Sequence, residues 1–202
     1  MTAPGTMWLV PAPLDLGAAE TPLDTVLPRA VLARAATLQH WVVEDAKSAR
    51  ALLRRVGQLV PLAQPLQALH LVELPRPPKG SPRPGTTAID WRALLAPALR
   101  GHDLGLLSEA GLPAVADPGS LLVAAAHEAG VPVQPLAGPS SLMLALAASG
   151  LNGHSFAFVG YLPKEAEART ARIREREAGS RRPAQTQLAI ETPYRNAALL
   201  QA

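Results

Sequence analysis

Short apolar runs alternate with segments of helical periodicity along nearly the whole chain. Met7–Pro11 reads as a short buried strand, as do His40–Glu44, Leu69–Leu74, Leu104–Leu107 and Val131–Leu136. Between them, Thr21-Pro22-Leu23-Asp24 reads as a helix start, with Thr21 at the N-cap, Pro22 at the first helical position and an acid in the first turn. Ala46–Val56 carries a helical pattern that Gly57 is placed to end. Further helices are predicted from Thr87 to about Arg100, from about Gly119 to Ala129 with Gly130 as the stop, and over Ser140–Ala148. Strand–helix alternation of this kind builds a mainly parallel sheet covered on both faces.

A second unit starts near Ser155–Tyr161, a strand with apolar alternation. A very polar helix follows over Lys164–Ala178, then a strand over Gln187–Glu191 and a helix opening near Tyr194. The expected division is therefore a first domain of residues 1–152 and a smaller mixed α/β domain of residues 153–202. Two strands do not make a stable sheet face alone, so the second domain is expected to be incomplete in this chain. The segment Pro75–Gly85 holds five prolines and two glycines and is expected to be an exposed loop.

Composition narrows the function. Hydrophobic residues make up 48% of 202 positions, enough for a real core. Aromatics are 3%, which disfavours single-strand binding by rows of stacked bases. There are no cysteines, so disulfides and thiolate metal sites are excluded and a reducing cytosol is the natural compartment. The first residues lack the basic region and long apolar run of a signal peptide, and no apolar stretch reaches membrane-spanning length. The net charge of +3 has a definite place: residues 1–150 carry eleven Lys/Arg and eleven Asp/Glu, while residues 151–202 carry eight against five. The excess is either a solvated helix or a surface facing a polyanion.

In open parallel sheets, ligands bind outside the carboxyl ends of the strands. The turns there, Pro11–Gly17, Glu44–Lys47, Ser108–Gly119, Ala137–Ser141 and Glu191–Arg195, are rich in Gly, Pro, Ser or acids. In Ser108–Gly119, Gly111 permits a positive φ or close backbone approach, Pro113 and Pro118 stiffen the loop, and Asp117 is placed to cap the next helix. Ser108–Pro113 is the stretch best suited to a ligand. Ala137–Ser141 lacks the Gly-Lys-Ser/Thr of a Walker loop, and neither Gly-x-Gly-x-x-Gly nor Gly-x-Ser-x-Gly occurs. Histidines 40, 70, 102, 127 and 154 show no metal-ligand spacing, so no metal is expected.

These turns carry a resemblance. Leu104-Gly-Leu-Leu-Ser-Glu-Ala-Gly-Leu-Pro-Ala-Val-Ala-Asp-Pro-Gly119 is similar to the central motif of the ribosomal small subunit methyltransferase I family, in the tetrapyrrole methylase superfamily. Trp8–Pro11, Glu44–Leu53, Gly138–Leu142, Ala148–Leu151 with Phe158–Pro163, and Glu191–Arg195 agree with it in order. The resemblance implies a two-domain tetrapyrrole methylase-like α/β fold, S-adenosylmethionine (SAM) folded between the domains, and a homodimer. Ser108, Glu109, Ala110 and Gly111 would then line the cofactor, with Pro113 and Val115 shaping the same pocket. Ser140 and Ser141 would meet it from the end of the first domain, and Ile190, Glu191 and Thr192 from the second. Pro11 would border substrate and cofactor. The chain departs from the pattern in three places. Pro11-Ala-Pro-Leu-Asp15 stands where tetrapyrrole enzymes have Gly-Pro-Gly, Glu44-Asp45-Ala46-Lys47 where the ribosomal members have Glu-Asp-Thr-Arg, and Val72-Glu-Leu-Pro-Arg76 where they have His-Glu-His-Asn.

The resulting expectation is methyl transfer to a ribose 2′-hydroxyl of ribosomal RNA in the cytoplasm. Asp45 or Glu44 is the candidate base, Lys47 would place a phosphate, and the basic segment 164–182 would contact RNA. Helix capping and dipole stabilisation explain Glu44-Asp45 equally well. A small or macrocyclic acceptor, or a SAM-binding module without catalysis, remain as alternatives.

Overall fold

The computed structural model describes residues 3–14, 21–75 and 89–201. Arg76–Gly85 of the proline-rich segment, Thr87 at the expected helix start and Asp15–Gly17 of the first turn lie outside the described residues. The chain falls into two compact units, Met1–Ser140 and Ser141–Ala202.

The first unit runs β1 (Met7–Val10), α1 (Leu23–Val26), α2 (Arg29–Thr37), β2 (His40–Val43), α3 (Ala46–Leu59), β3 (His70–Glu73), α4 (Trp91–Leu94), α5 (Ala96–Leu99), β4 (Leu104–Leu107), α6 (Ser120–Glu128) and β5 (Val133–Pro135). The strands form one sheet in the order β3-β2-β4-β1-β5, every pair parallel. This is the expected parallel α/β architecture. Strand parity separates two apolar layers. Trp41, Val43 and Leu107 face the layer of Leu32, Leu53 and Val56, while Val42, Leu104 and Leu106 face that of Leu95, Leu122 and Ala126. β4, at the centre, is buried at all four positions, and each such Leu contributes about 1.5–3 kcal/mol by leaving water. Gly105 is demanded by packing: a Cβ there would overlap the Trp41 indole.

Local signals were overridden in several places. Thr21 does not cap α1; the N-cap is Pro22, with no side-chain bond. Gly57 does not end α3, which continues to Leu59. The helix expected up to Arg100 breaks into α4 and α5, because Pro97 near the start of α5 has no N–H to continue the ladder. Asp90 caps α4, accepting the Ala93 N–H at 3.0 Å.

The second unit comprises α7 (Ser141–Ser149), β6 (Phe156–Tyr161), α8 (Ala166–Arg181), β7 (Thr186–Ile190) and α9 (Asn196–Leu200). β6 and β7 pair in parallel, joined through α8, with an irregularity between Phe158 and Tyr161 where Gly160 takes φ +72°. α7 packs on β7 and belongs to this unit, so the division falls before α7 rather than after it.

At the amino ends of β2, β3 and β4, His40 stacks on His70 at 5.1 Å and lies 5.3 Å from His102. Burial, then His70, His102 and Arg100, hold the His40 imidazole below its ordinary pKa. The folded state therefore binds protons less readily here than the unfolded chain, and stability falls as pH drops through the unperturbed histidine value of about 6.5. His40→Gln is expected to flatten the loss of urea midpoint between about pH 7 and 5. Gly105→Val is expected to lower stability by about 1–3 kcal/mol or more in the same assay, as overpacking against Trp41 does.

Candidate functional site

Register places the site. Leu107 is the partner of Val10 on one side and of Val43 on the other, and Val43 pairs with Glu73. The strands therefore end flush, and the loops that start at Pro11, Glu44 and Ser108 leave the sheet side by side. Glu44 N–H donates to Leu107 O at 3.1 Å, extending β2 by one rung.

The loop after β4 is fixed by backbone. Gly111 and Ala12 exchange both hydrogen bonds, at 2.9 and 3.1 Å, tying the β4 loop to the β1 loop. Gly111 has φ +71°, so the glycine is required by conformation, and its N–H and C=O are already engaged by Ala12. Ala114 and Ala116 hold φ +66° and +63°, a left-handed conformation costing about 1–2 kcal/mol for a side-chain-bearing residue. Gly138, in the loop after β5, lies against Pro11 so closely that a Cβ would overlap the proline ring.

Ser108 is buried, its Oγ–H donating to Ala110 O at 3.4 Å, and its polar side chain near Asp117 partly offsets the upward shift of that carboxyl. The Asp117 carboxyl is half-buried and pushed up to about 6, first by burial and then by Glu44, with a smaller contribution from Glu109. Glu44 Oε2 accepts the Glu109 N–H at 3.1 Å. Glu44, Glu109 and Asp117 thus gather carboxylates around Ser108, and Ser108–Gly119 contains no Lys or Arg. Such a rim suits a cation. Among the described residues, no cluster of His, Asp or Glu is arranged to share a metal ion.

Asp45 is the N-cap of α3, its Oδ1 accepting Ser48 N–H at 2.8 Å and Ser48 Oγ–H at 3.0 Å. The first N–H of α3, on Ala46, donates to Glu73 Oε1 at 2.8 Å, a tie from the neighbouring strand end. Lys47 is exposed in the first turn of α3. Pro11 and Pro113 are buried, Ala110 is partly buried, and Val115 is 44% exposed. Asp117 does not cap α6, whose N-cap is Gly119 without a side-chain bond; it belongs to the carboxylate group instead. Ser140 closes the first unit, and Ser141 opens α7. In the second unit, Ile190 ends β7, and the side chain of Glu191 accepts the Thr192 N–H at 2.8 Å and the Thr192 Oγ1–H at 3.2 Å. Its other oxygen pairs with Arg195 at 2.9 Å, the two side chains only 2% and 18% exposed.

No family model matches the chain. The ribosomal RNA small subunit methyltransferase I of Xylella fastidiosa (strain Temecula1) is 35% identical to it over 174 residues, 86% of this chain and 55% of that protein. The chain is a homologue of the ribosomal RNA small subunit methyltransferases I. The protein of that name from Micromonospora olivasterospora is 43% identical over 109 residues, covering 54% of this chain and 34% of its own length. The chain thus spans about half the length of the first of these relatives and a smaller share of the second. Among solved structures, a uroporphyrin-III-C-methyltransferase from Thermus thermophilus overlaps 80% of this chain and 65% of its own, with 24% identity and a TM-score of 0.43.

Because the Asp117 carboxyl is raised in the fold, its contribution to stability is present below the unfolded value and is lost as pH rises through about 6. Asp117→Asn is therefore expected to raise the urea midpoint at pH 7–8 while changing it little at about pH 4. A midpoint unchanged across that range would show that Asp117 is not held in this unfavourable setting.

Proposed function

We propose that this chain carries the methyl-donor site of a SAM-dependent methyltransferase acting on ribosomal RNA, at a ribose 2′-hydroxyl. The observation that carries the reading is the carboxylate rim of Glu44, Glu109 and Asp117 at the flush ends of β1, β2 and β4, in a chain homologous to methyltransferases of that name. The rim fits the cofactor's charge: a sulfonium is attracted to carboxylates and repelled by fixed ammonium or guanidinium groups.

Ser108, Glu109, Ala110, Gly111 and Pro113 would hold SAM, with Pro11 on the adjoining loop and the exposed Val115 at the rim. Ser140, Ser141, Ile190, Glu191 and Thr192 complete the set that the family motifs suggest. The cofactor supplies an electrophilic methyl group. The chain's task is to align the acceptor oxygen and remove its proton. Asp45 has its Oδ1 engaged by the α3 cap. Glu44 and Asp117 are better placed, and a carboxyl at about 6 is tuned for proton transfer near neutral pH. Lys47, exposed in the first turn of α3, would position an RNA phosphate. The reading extends to a homodimer working in the cytoplasm; among the described residues no helix is long and apolar enough to cross a membrane.

Tritium transfer from labelled SAM to small ribosomal subunits, or to RNA extracted from them, tests this. Label is expected in RNA, within dinucleotides that resist alkali because a 2′-O-methyl blocks strand cleavage. Asp117→Asn is expected to slow transfer by roughly 10²–10⁴-fold if Asp117 is the base. Absence of transfer to either acceptor, with the protein folded, would overturn the reading.

A further inference from the structure

A second strand-edge cavity is lined by residues of the second unit alone, and it shares only Thr192 with the set proposed for SAM. Tyr161 ends β6, and Leu162, Pro163 and Lys164 follow it; Thr192, Tyr194 and Arg195 follow β7. These residues, with Arg172 and Arg176 of α8, line a cavity of about 440 Å³, within the range of small-ligand pockets. It sits at the carboxyl ends of two parallel strands, where ligands bind in sheets of this kind. Its character is opposite to that of the first rim: Lys164, Arg172, Arg176 and Arg195 all reach it, and no carboxylate lines it.

Two of these cations are offset by carboxylates outside the cavity. Arg172 pairs with Glu175 at 2.7 Å and Arg195 with Glu191 at 2.9 Å. Among the described residues, Lys164 and Arg176 meet no carboxylate, and Arg176 Nε is buried without a hydrogen-bond partner. Two cations at one cavity without a carboxylate partner favour an anionic ligand there. Arg172 and Arg176, four residues apart, lie on one face of α8. Arg181, farther along, is instead paired with Glu177 at 2.6 Å. At the cavity mouth, Tyr161 and Tyr194 are 55% and 83% exposed, in a chain with only 3% aromatics. Cations beside exposed aromatic rings match a nucleotide, whose phosphate meets the charges and whose base stacks on a ring.

We infer that this cavity binds a phosphate and the adjoining base of single-stranded RNA, through Lys164, Arg172, Arg176 and Arg195 for the phosphate and Tyr194 for the base. The inference rests on the proposed RNA substrate. It narrows the contact from the whole basic segment 164–182 to a defined pocket, one that includes residues beyond that segment.

The test is fluorescence anisotropy of a labelled single-stranded RNA oligonucleotide with the 202-residue chain across a salt series. Lys164→Gln with Arg176→Gln is expected to weaken binding about tenfold or more and to reduce the salt slope by roughly 0.7, the loss of one phosphate contact. Tyr194→Ala is expected to weaken binding about fivefold with the slope unchanged, which distinguishes stacking from charge. Lys164 and Tyr194 are exposed, so single Lys164→Gln and Tyr194→Ala proteins keep the test decisive if loss of Arg176 impairs folding. Arg181→Gln with Arg182→Gln is expected to change little. Wild-type affinity in both Lys164→Gln and Tyr194→Ala, or a slope change carried only by Arg181 and Arg182, overturns the pocket while leaving RNA as the substrate. No RNA binding by the unsubstituted chain overturns both.

Discussion

Everything at the first site depends on the double pairing of β4. Leu107 stands level with Val10 on one neighbour and Val43 on the other. That register holds because β4 is apolar throughout and must bury both faces, and because Gly105 leaves room for Trp41. A slip of one residue would turn Leu104 and Leu106 toward the wrong layer and drive a leucine into the indole. With the register fixed, Pro11, Glu44 and Ser108 emerge together, and their loops can be tied by backbone bonds such as Ala12 to Gly111.

Unfavourable features collect on those loops. Asp117 is half-buried among like charges, and Ala114 and Ala116 hold left-handed backbone in the same stretch. Strain and a perturbed carboxyl in one segment, held by an otherwise ordinary apolar core, are the pattern of a site shaped for binding rather than for stability. The second unit repeats the strand-edge logic with the opposite charge. There, a helix over a two-stranded parallel pair turns arginines, one with a buried and unsatisfied Nε, toward a cavity. Under the proposed function, the anionic edge would face the sulfonium and the cationic edge a phosphate. Homology to the ribosomal RNA small subunit methyltransferases I supports the same reading over 86% of the chain.

The alternation of apolar runs and helical periods settled the parallel α/β architecture, because buried parallel strands need uninterrupted Val, Leu and Ile and their crossovers need amphipathic helices. β4 matches its expected bounds, Leu104–Leu107, since a four-residue apolar run between polar turns admits few alternatives. The turn motifs also pointed to the carboxyl-end loops, where the structure gathers Glu44, Glu109 and Asp117. Helix ends were less legible: Thr21, Gly57 and Asp117 are good capping or stopping residues that the folded chain uses otherwise, because packing outweighs a local preference worth about 1 kcal/mol.

Only tertiary structure decided which side chains meet. His40, His70 and His102 lack metal-type spacing yet gather at one end of the sheet, because parallel register brings strand starts level. Asp117 joins Glu44, seventy-odd residues away, for the same reason at the other end. The basic excess near the end of the chain could be counted from composition, but whether it faced water or a cavity could not. That depended on the rotation of α8 over β6 and β7, which places Arg172 and Arg176 beside Arg195 while Arg181 is held by Glu177. The sequence by itself determined the layers, through hydrophobic periodicity, and the strand-end loops, through their turn residues, and both signals are local. The constellations within those loops were decided by strand register and helix rotation, which are properties of contacts between segments far apart in the chain.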